Sequence, residues 1–509
     1  MNQPRPTTPE VPLSFDVHQM DSVLLIGAVV MLLAILAVRA SVRVGLPSLL
    51  VYLLMGVLLG EAGISFDDAN VAHALGFAAL VVILAEGGLT TEWHEIKASM
   101  RMGVALATLG VAVSVTVMAA AAHYLFGLDW QLAILLGAVT SPTDAAAVFS
   151  VLRRVPLPRQ MTGVLEAESG LNDAPTVLLV TLVSTGAALD QGVLGFAGIV
   201  VYELTVGAAV GLAIGFGGAW VMRRVALPSS GLYPIAVLTL TVLAYSGSAA
   251  IHASGFAAVY VAALVLGNSE LPHRTATRSF SEGVAWLAQI GLFVMLGLLA
   301  SPSRISTEHV VYAVLAGLVL TFVARPLSVV ACSFACRMTW REQTFLSWAG
   351  LRGAVPIVLT TIALAHDVSG STELFDIVFV MVVIYTLLTG PTLPWVAKVL
   401  RVAEPDEPRD LEVEAAPLER IAADLLQVTI TRKSRLHGVE VGELRLPPGV
   451  SIALVVREGK TLVPDGREVL RRGDDLLVVT PRRVREATED RLRALSRSGR
   501  LAHWWPDGS

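Results

Sequence analysis

The sequence predicts a polytopic α-helical membrane protein with about 13 transmembrane helices. These form two inverted six-helix repeats with broken crossing helices at spans 5 and 12, followed by a small α/β cytoplasmic domain. Three observations predict it. The first is a split in charge. Of 509 residues 16% are charged, but residues 401–509 hold 19 basic and 19 acidic side chains, about 35% of that segment, and the first 400 residues only about 10%. Soluble domains carry roughly 25%, so the long part is no ordinary soluble, disordered or collagen-like chain, and the tail does not lie in lipid.

The second observation is a series of apolar runs suited to a hydrocarbon core of about 30 Å. They fall near 22–38, 46–60, 71–89, 102–121, 130–150, 161–185, 195–222, 232–248, 254–268, 283–300, 308–334, 343–366 and 374–398. The third is the placing of the basic residues. Arg39, Arg43, Lys97, Arg101, Arg153, Arg154, Arg159, Arg223, Arg224, Arg274, Arg278, Arg337, Arg341 and Lys398 all follow odd-numbered runs, against Arg5 and Arg304 on the other side. Lys and Arg gather on cytoplasmic connections. The expected protein is thus multi-pass, N-terminus outside and C-terminus cytoplasmic, in a bacterial inner membrane.

Residues 1–21 carry Arg5, Glu10, Asp16, Asp21 and four prolines with no apolar core, so they read as an external tail and not a signal peptide. Residues 22–400 form the transmembrane domain. Cys332 and Cys336, four apart on one apolar stretch, read as small packing residues; no disulfide or zinc spacing exists.

Charges inside spans are costly and mark function. Six stand out: Glu86, Asp144, Glu168, Asp173, Arg325 and Arg352. Span 5 holds Thr140-Ser141-Pro142-Thr143-Asp144, where Pro142 removes a backbone donor. Irregular backbone at membrane depth must face protein or a watery cavity, and an aspartate beside freed carbonyls and hydroxyls suits a cation. Span 6 holds Glu168-Ser169-Gly170-Leu171-Asn172-Asp173. Ser169 and Asp173, four apart, share a helix face and can contact one ion together. Span 12 holds Gly350-Leu351-Arg352-Gly353-Ala354-Val355-Pro356, a second interrupted helix carrying a charge. Paired broken helices seven spans apart point to inverted repeats around a midplane site. In this reading Arg352 is the fixed cation that pairs with Glu168 or holds Asn172. Glu86 lies near the cytoplasmic end of span 3, either lining an entry or at the interface, and Arg325 makes a structural pair.

These three motifs, in order and spacing, resemble the signatures of the NhaP-type monovalent cation/proton antiporters (family 1) over about residues 20–400. The resemblance implies antiport by a homodimer whose core domain moves against a dimer-interface domain. It implies that Asp173 is the essential cation/proton carboxylate, with Asp144 and Ser169 as co-ligands and Thr143 as a main-chain carbonyl ligand. Glu86 is similar to an acidic residue near the family's ion site, though its flanks depart from the usual pattern. Glu168, Asn172 and Arg352 resemble a supporting polar network, and Arg325 an arginine needed for activity. An Asn-Asp pair, as at Asn172-Asp173, goes with exchange of one cation for one proton. The physics agrees, since fewer carboxylates release fewer protons per cation.

Residues 401–424, acidic and containing Pro405, Pro408 and Pro417, read as a linker. Alternating apolar residues at 426–431, 451–456, 461–463 and 476–479 read as strands, Gly438–Leu444 as a short helix, Asp465-Gly466 and Gly473-Asp474 as turns, and 482–497 as a charged helix. The run Leu436-His437-Gly438, Glu443-Leu444, Arg457, Leu470, Gly473-Asp474 is similar to the TrkA-C (RCK-C) domain, placed at 425–485, with 486–509 as a charged C-terminal helix and tail. Such domains dimerise and gate potassium transporters and channels, sometimes through nucleotides. A TrkA-C domain behind an NhaP-type transporter resembles the potassium/proton antiporter and cell-volume subset.

The expected function is therefore exchange of a monovalent cation, K⁺ favoured over Na⁺, for H⁺, serving cation, pH or cell-volume homeostasis. The expected partners are a second copy of the chain, membrane lipid and a nucleotide-like ligand of the tail. No enzymatic activity, cofactor or nucleic acid is expected. The alternative is a cation channel gated by the tail, but the Thr-Val-Gly-Tyr-Gly filter of potassium channels is absent.

Overall fold

The computed structural model describes residues 17–44, 48–64, 66, 68–144, 148, 151–152, 157–186, 192–335, 338–403, 411–418, 423–431, 434–457 and 459–499. The helices are α1 (Val17–Val44), α2 (Ser48–Glu61), α3 (Ala69–Thr90), α4 (Met100–Phe126), α5 (Trp130–Thr140), α6 (Arg159–Ser184), α7 (Gly192–Arg224), α8 (Leu232–Ala249), α9 (Gly255–Gly267), α10 (Arg274–Leu299), α11 (Thr307–Cys332), α12 (Trp340–Trp348), α13 (Val355–Ala365) and α14 (Ser371–Val399). Among the described residues seven helices (α3, α4, α7, α8, α10, α11 and α14) are long and apolar enough to cross a membrane, and shorter apolar stretches lie in α1, α2, α5, α9 and α13. The 26-residue α6 joins neither group because Glu166, Glu168 and Asp173 run through it.

The windows at 130–150 and 343–366 are broken, as their Gly/Pro patterns require. Helix α5 stops at Thr140, where the Thr140 and Ser141 hydroxyls bond back one turn to the carbonyls of Leu136 and Gly137 (2.7 Å each). Helix α12 stops at Trp348, and after an irregular stretch Pro356 opens α13 in its first turn, where a missing N–H costs little. Helices α4 and α11 each contain one wide π turn, Leu106–Gly110 and Leu320–Ala324. Ser328 of α11 donates to the Gly110 carbonyl (2.9 Å), and Ser328 and Ser114 share a hydrogen bond of 2.8 Å.

The helices pack as two bundles. One holds α1–α3 and α7–α10; the other holds α4–α6 and α11–α14. Inside the first, α2 and α10 meet at Gly56 and Gly297, where a Cβ would strike the Val294 and Leu53 carbonyls respectively. Small residues allow this close approach without help from water. The bundles meet where α3 lies on α13, and α7 and α9 on α6.

The C-terminal domain is a five-stranded antiparallel sheet of order β1-β2-β5-β3-β4: β1 (Leu411–Leu418), β2 (Ala423–Ile430), β3 (Ser451–Arg457), β4 (Lys460–Leu462) and β5 (Asp475–Pro481). Three expectations change here. Part of the expected linker is β1, an edge strand able to carry Pro417, because edge positions need no ladder donor. The expected helix at 438–444 is only a 3₁₀ turn, Val441–Leu444. The C-terminal helix α15 (Arg485–Ser498) belongs to this domain, since Leu492 and Leu495 sit in one core with Leu426, Val428, Leu476 and Val478. Arg457 explains the spaced Arg and Gly-Asp of the motif. It donates from Nε and Nη2 to both oxygens of buried Asp474 (2.9 and 2.8 Å), from Nη1 to Glu468 (3.0 Å) and from Nη2 to the Val469 carbonyl. The bonds to Asp474 above all hold its proton more firmly than usual.

Candidate ion site

The two breaks touch. The backbone N–H of Asp144 donates to the Leu351 carbonyl (2.9 Å), joining the loop after α5 to the loop before α13. Gly353 lies against the Asp144 carboxylate so closely that any Cβ there would collide with it. Helix α6 passes alongside. Asn172 Nδ2 donates to Thr143 Oγ1 (3.0 Å) and so fixes α6 to the first break. Pro175 interrupts the ladder of α6, and the Thr176 hydroxyl donates to the Asn172 and Asp173 carbonyls (2.8 and 2.9 Å).

Glu168, one turn before Asn172, is buried and forms a two-pronged pair with buried Arg325, Nη1 on Oε1 and Nη2 on Oε2 (2.7 Å for the latter). Arg325 Nη2 also reaches the Leu346 carbonyl in the last turn of α12 (3.5 Å), where a cation suits the helix end. The partner of Glu168 is thus Arg325 and not Arg352, and Asn172 is held by Thr143. Glu168 and Arg325 lie 157 positions apart, and tertiary packing alone decides which arginine arrives. The π turn of α11 ends directly before Arg325, and such a turn rotates the side chains that follow it. Arg352 is buried too. Its carbonyl accepts from Thr386 Oγ1 (3.1 Å), while its Nε and Nη1 meet no partner among the described residues.

A cavity of about 370 Å³ lies on the seam between the bundles. Glu86, Thr143, Asp144, Ser169 and Asp173 all line it, so the structure gathers the five residues read as ion- or proton-binding into one space. Ser169 and Asp173 share its wall, as their spacing predicts. From Asp173 the cavity runs to the C-terminal end of α3, past Glu86, Thr90, Thr91 and Glu92, with Glu166 across from them. Towards the other end of α3 a chain of aromatic contacts begins: His73 tilted on Phe77 (4.3 Å between centroids), then Phe77 edge-on to Phe256 (5.2 Å) and Phe256 edge-on to Tyr245 (5.4 Å). Asp173 is 8% exposed, and its Oδ1 has no partner among the described residues. A buried carboxylate without a partner is costly unless a proton or a cation neutralises it.

Sequence reading missed Tyr260 and Gln289, which also line the cavity. It also missed Asp376 of α14, 2% exposed and paired with Arg304 (3.2 Å). Asp376 lies two residues inside the last apolar window, and that position was the available signal.

Crossed broken helices with a buried carboxylate between two bundles define a class, the secondary transporters with a midplane site. Within it, this chain belongs to the sodium/hydrogen exchanger family. Residues 28–399 match the family model described as "Sodium/hydrogen exchanger, transmembrane", and residues 425–493 match the TrkA-C domain. The chain is 33% identical to the K(+)/H(+) antiporter NhaP of Alkalimonas amylolytica, over 90% of this chain and 81% of that protein. It is 32% identical to the K(+)/H(+) antiporter NhaP2 of Shewanella oneidensis, over 97% and 87%. The Na(+)/H(+) antiporter ApNhaP of Aphanothece halophytica is 24% identical, over 76% and 78%. The solved sodium proton antiporter MjNhaP1 of Methanocaldococcus jannaschii shares the fold of the membrane part, with a TM-score of 0.64 at 20% identity, covering 76% of this chain and all of that one.

Proposed function

We propose that the protein exchanges one K⁺ for one H⁺ by alternating access, with Asp173 holding either ion in turn. The observation that carries this is the buried Asp173 carboxylate, its Oδ1 without a partner among the described residues, in a cavity shared with Asp144, Ser169 and Thr143. Charge balance supports the stoichiometry. Glu168 is matched by Arg325 and Asn172 brings no charge of its own, so the surplus at the crossing is carried by Asp173, whose Oδ1 meets no partner among the described residues. One proton or one monovalent cation cancels the surplus charge, and the membrane disfavours moving the site uncancelled. K⁺ is favoured over Na⁺ because relatives that match along nearly the whole chain, tail included, are named K(+)/H(+) antiporters.

In this reading the C-terminal end of α3 faces the cytoplasm, so the cavity is open inward. Glu86, Glu92 and Glu166 draw cations to its mouth, and the chain of aromatic contacts closes the outer end. The pattern of breaks in the fifth and twelfth windows and π turns in the fourth and eleventh, each seven apart, supports thirteen spans in two inverted repeats. The working unit is a homodimer in a bacterial inner membrane, its chemistry is transport without catalysis or cofactor, and the cytoplasmic TrkA-C domain adjusts activity in cation, pH or cell-volume homeostasis.

Dye-reported proton flux in proteoliposomes, with K⁺, Na⁺, Rb⁺ and Li⁺ added in turn, tests the reading. Flux that follows K⁺ and ignores membrane potential is expected. Proton movement indifferent to every cation refutes antiport, and flux driven by membrane potential refutes the one-for-one ratio.

A further inference from the structure

We infer that Arg304 and Asp376 form a positioning pair that latches the two bundles together on the side away from the cavity mouth and so favours the arrangement seen here. The inference rests on the alternating-access reading above. The chain passes from one bundle to the other between α10 and α11, through Ala300 and the 3₁₀ turn Pro302–Arg304. Helix α10 packs on α2 and α3, whereas α11 packs on α14. Arg304 Nη2 donates both to the carbonyl of Leu299, the last residue of α10, and to Asp376 Oδ1 of α14, at 3.4 and 3.2 Å. One guanidinium therefore holds an end of the first bundle and a side chain of the second.

The two partners are unequal. The Asp376 side chain is 3% exposed and that of Arg304 41% exposed. Among the described residues Arg304 is the only hydrogen-bond partner of the Asp376 carboxylate. The other acids at this corner are turned elsewhere or lie nearer the surface: Glu308 accepts from Tyr312 Oη (2.8 Å), and Glu373, in the first turn of α14, lines with Glu308 a second, smaller cavity. Sliding one bundle along the other must stretch the bond to Leu299 or the bond to Asp376. Losing Arg304 leaves a buried, uncompensated carboxylate; losing both charges removes only the latch.

The test uses the full-length chain with both native cysteines replaced and Leu84, on the cavity wall, changed to cysteine. Labelling by a membrane-impermeant maleimide from the cytoplasmic side reads how long the cavity stays open inward. The double variant Arg304→Gln/Asp376→Asn should fold and label more slowly, by about three- to five-fold, the shift a pair of this exposure gives a two-state equilibrium. Arg304→Lys should keep the normal rate. A double variant that labels at the normal rate overturns the latch, as does Arg304→Lys behaving like the double variant. Labelling does not depend on antiport. Absent K⁺-dependent flux with slowed labelling therefore removes the functional reading and leaves the latch.

Discussion

Two arginines grip carboxylates with both prongs, one in each half of the molecule, and their surroundings differ. Arg325 holds Glu168 between helices of the membrane bundle, and the Leu346 carbonyl is its only other acceptor among the described residues. Arg457 holds Asp474 in the C-terminal sheet domain, where Glu468, the Val469 carbonyl and the backbone N–H of Arg471 share the load. The Arg457 side chain is 18% exposed and that of Arg325 5%. A broken pair in the tail is relieved by water and by neighbours. A broken pair inside the membrane bundle strands a charge, and Glu168 stands next to Ser169 of the cavity wall.

The comparison can be broken at its strong end first. Arg325→Ala should cost about 3–5 kcal/mol, the price of leaving a buried charge alone, with loss of folded protein in a thermal-shift or detergent gel-filtration assay. The paired change Arg325→Met/Glu168→Leu should recover much of the fold without recovering transport. If the single variant folds normally, Glu168 has other support and the contrast with the tail fails. Gly353→Ala comes next. Its new methyl collides with the Asp144 carboxylate, so transport should fall at least about ten-fold while the protein remains folded, because overpacking costs about 1–3 kcal/mol. Normal flux in this variant would mean that the two breaks need not touch.

Arg457→Ala should cost about 1–3 kcal/mol, less than Arg325→Ala, since Asp474 keeps the Arg471 N–H. The tail should melt earlier while basal K⁺/H⁺ exchange survives, with regulation altered. Exchange abolished along with the tail would show that the domain is part of the machine and not its controller. Smallest is Arg493→Ala, which removes an exposed bridge to Glu489 one turn away (3.3 Å) and should change tail stability by no more than about 0.5 kcal/mol.

The sequence made the membrane fold and its separate tail legible because apolar length marks the long helices and charge density marks the C-terminal sheet domain. It made the cavity wall legible because Asp144, Ser169 and Asp173 sit in short motifs whose breaks follow from Pro142, Pro356 and nearby glycines. What it could not show were pairings across long separations. Whether Arg325 or Arg352 meets Glu168 depends on the rotation of α11 after its π turn; Pro326, which cannot bond the Phe322 carbonyl inside that turn, marks a disturbance there but not its direction. Asp376 hid inside an apolar window near its end, where a charge looks interfacial. Strand β1 hid because acid and proline content suggested a linker, although Leu411-Glu412-Val413-Glu414 alternates as an edge strand does.

The central claim is that one carboxylate, Asp173, trades a proton for a cation. Purified protein in weakly buffered detergent, near the pH at which exchange is half-maximal, tests it without a membrane or a gradient. Added K⁺ should release protons saturably, about half of one per chain where the carboxyl is half-protonated and never more than one as competition at a single group requires, and Asp173→Asn should release none while remaining folded. Saturable K⁺ binding with no proton release, or undiminished release from Asp173→Asn, would contradict the account.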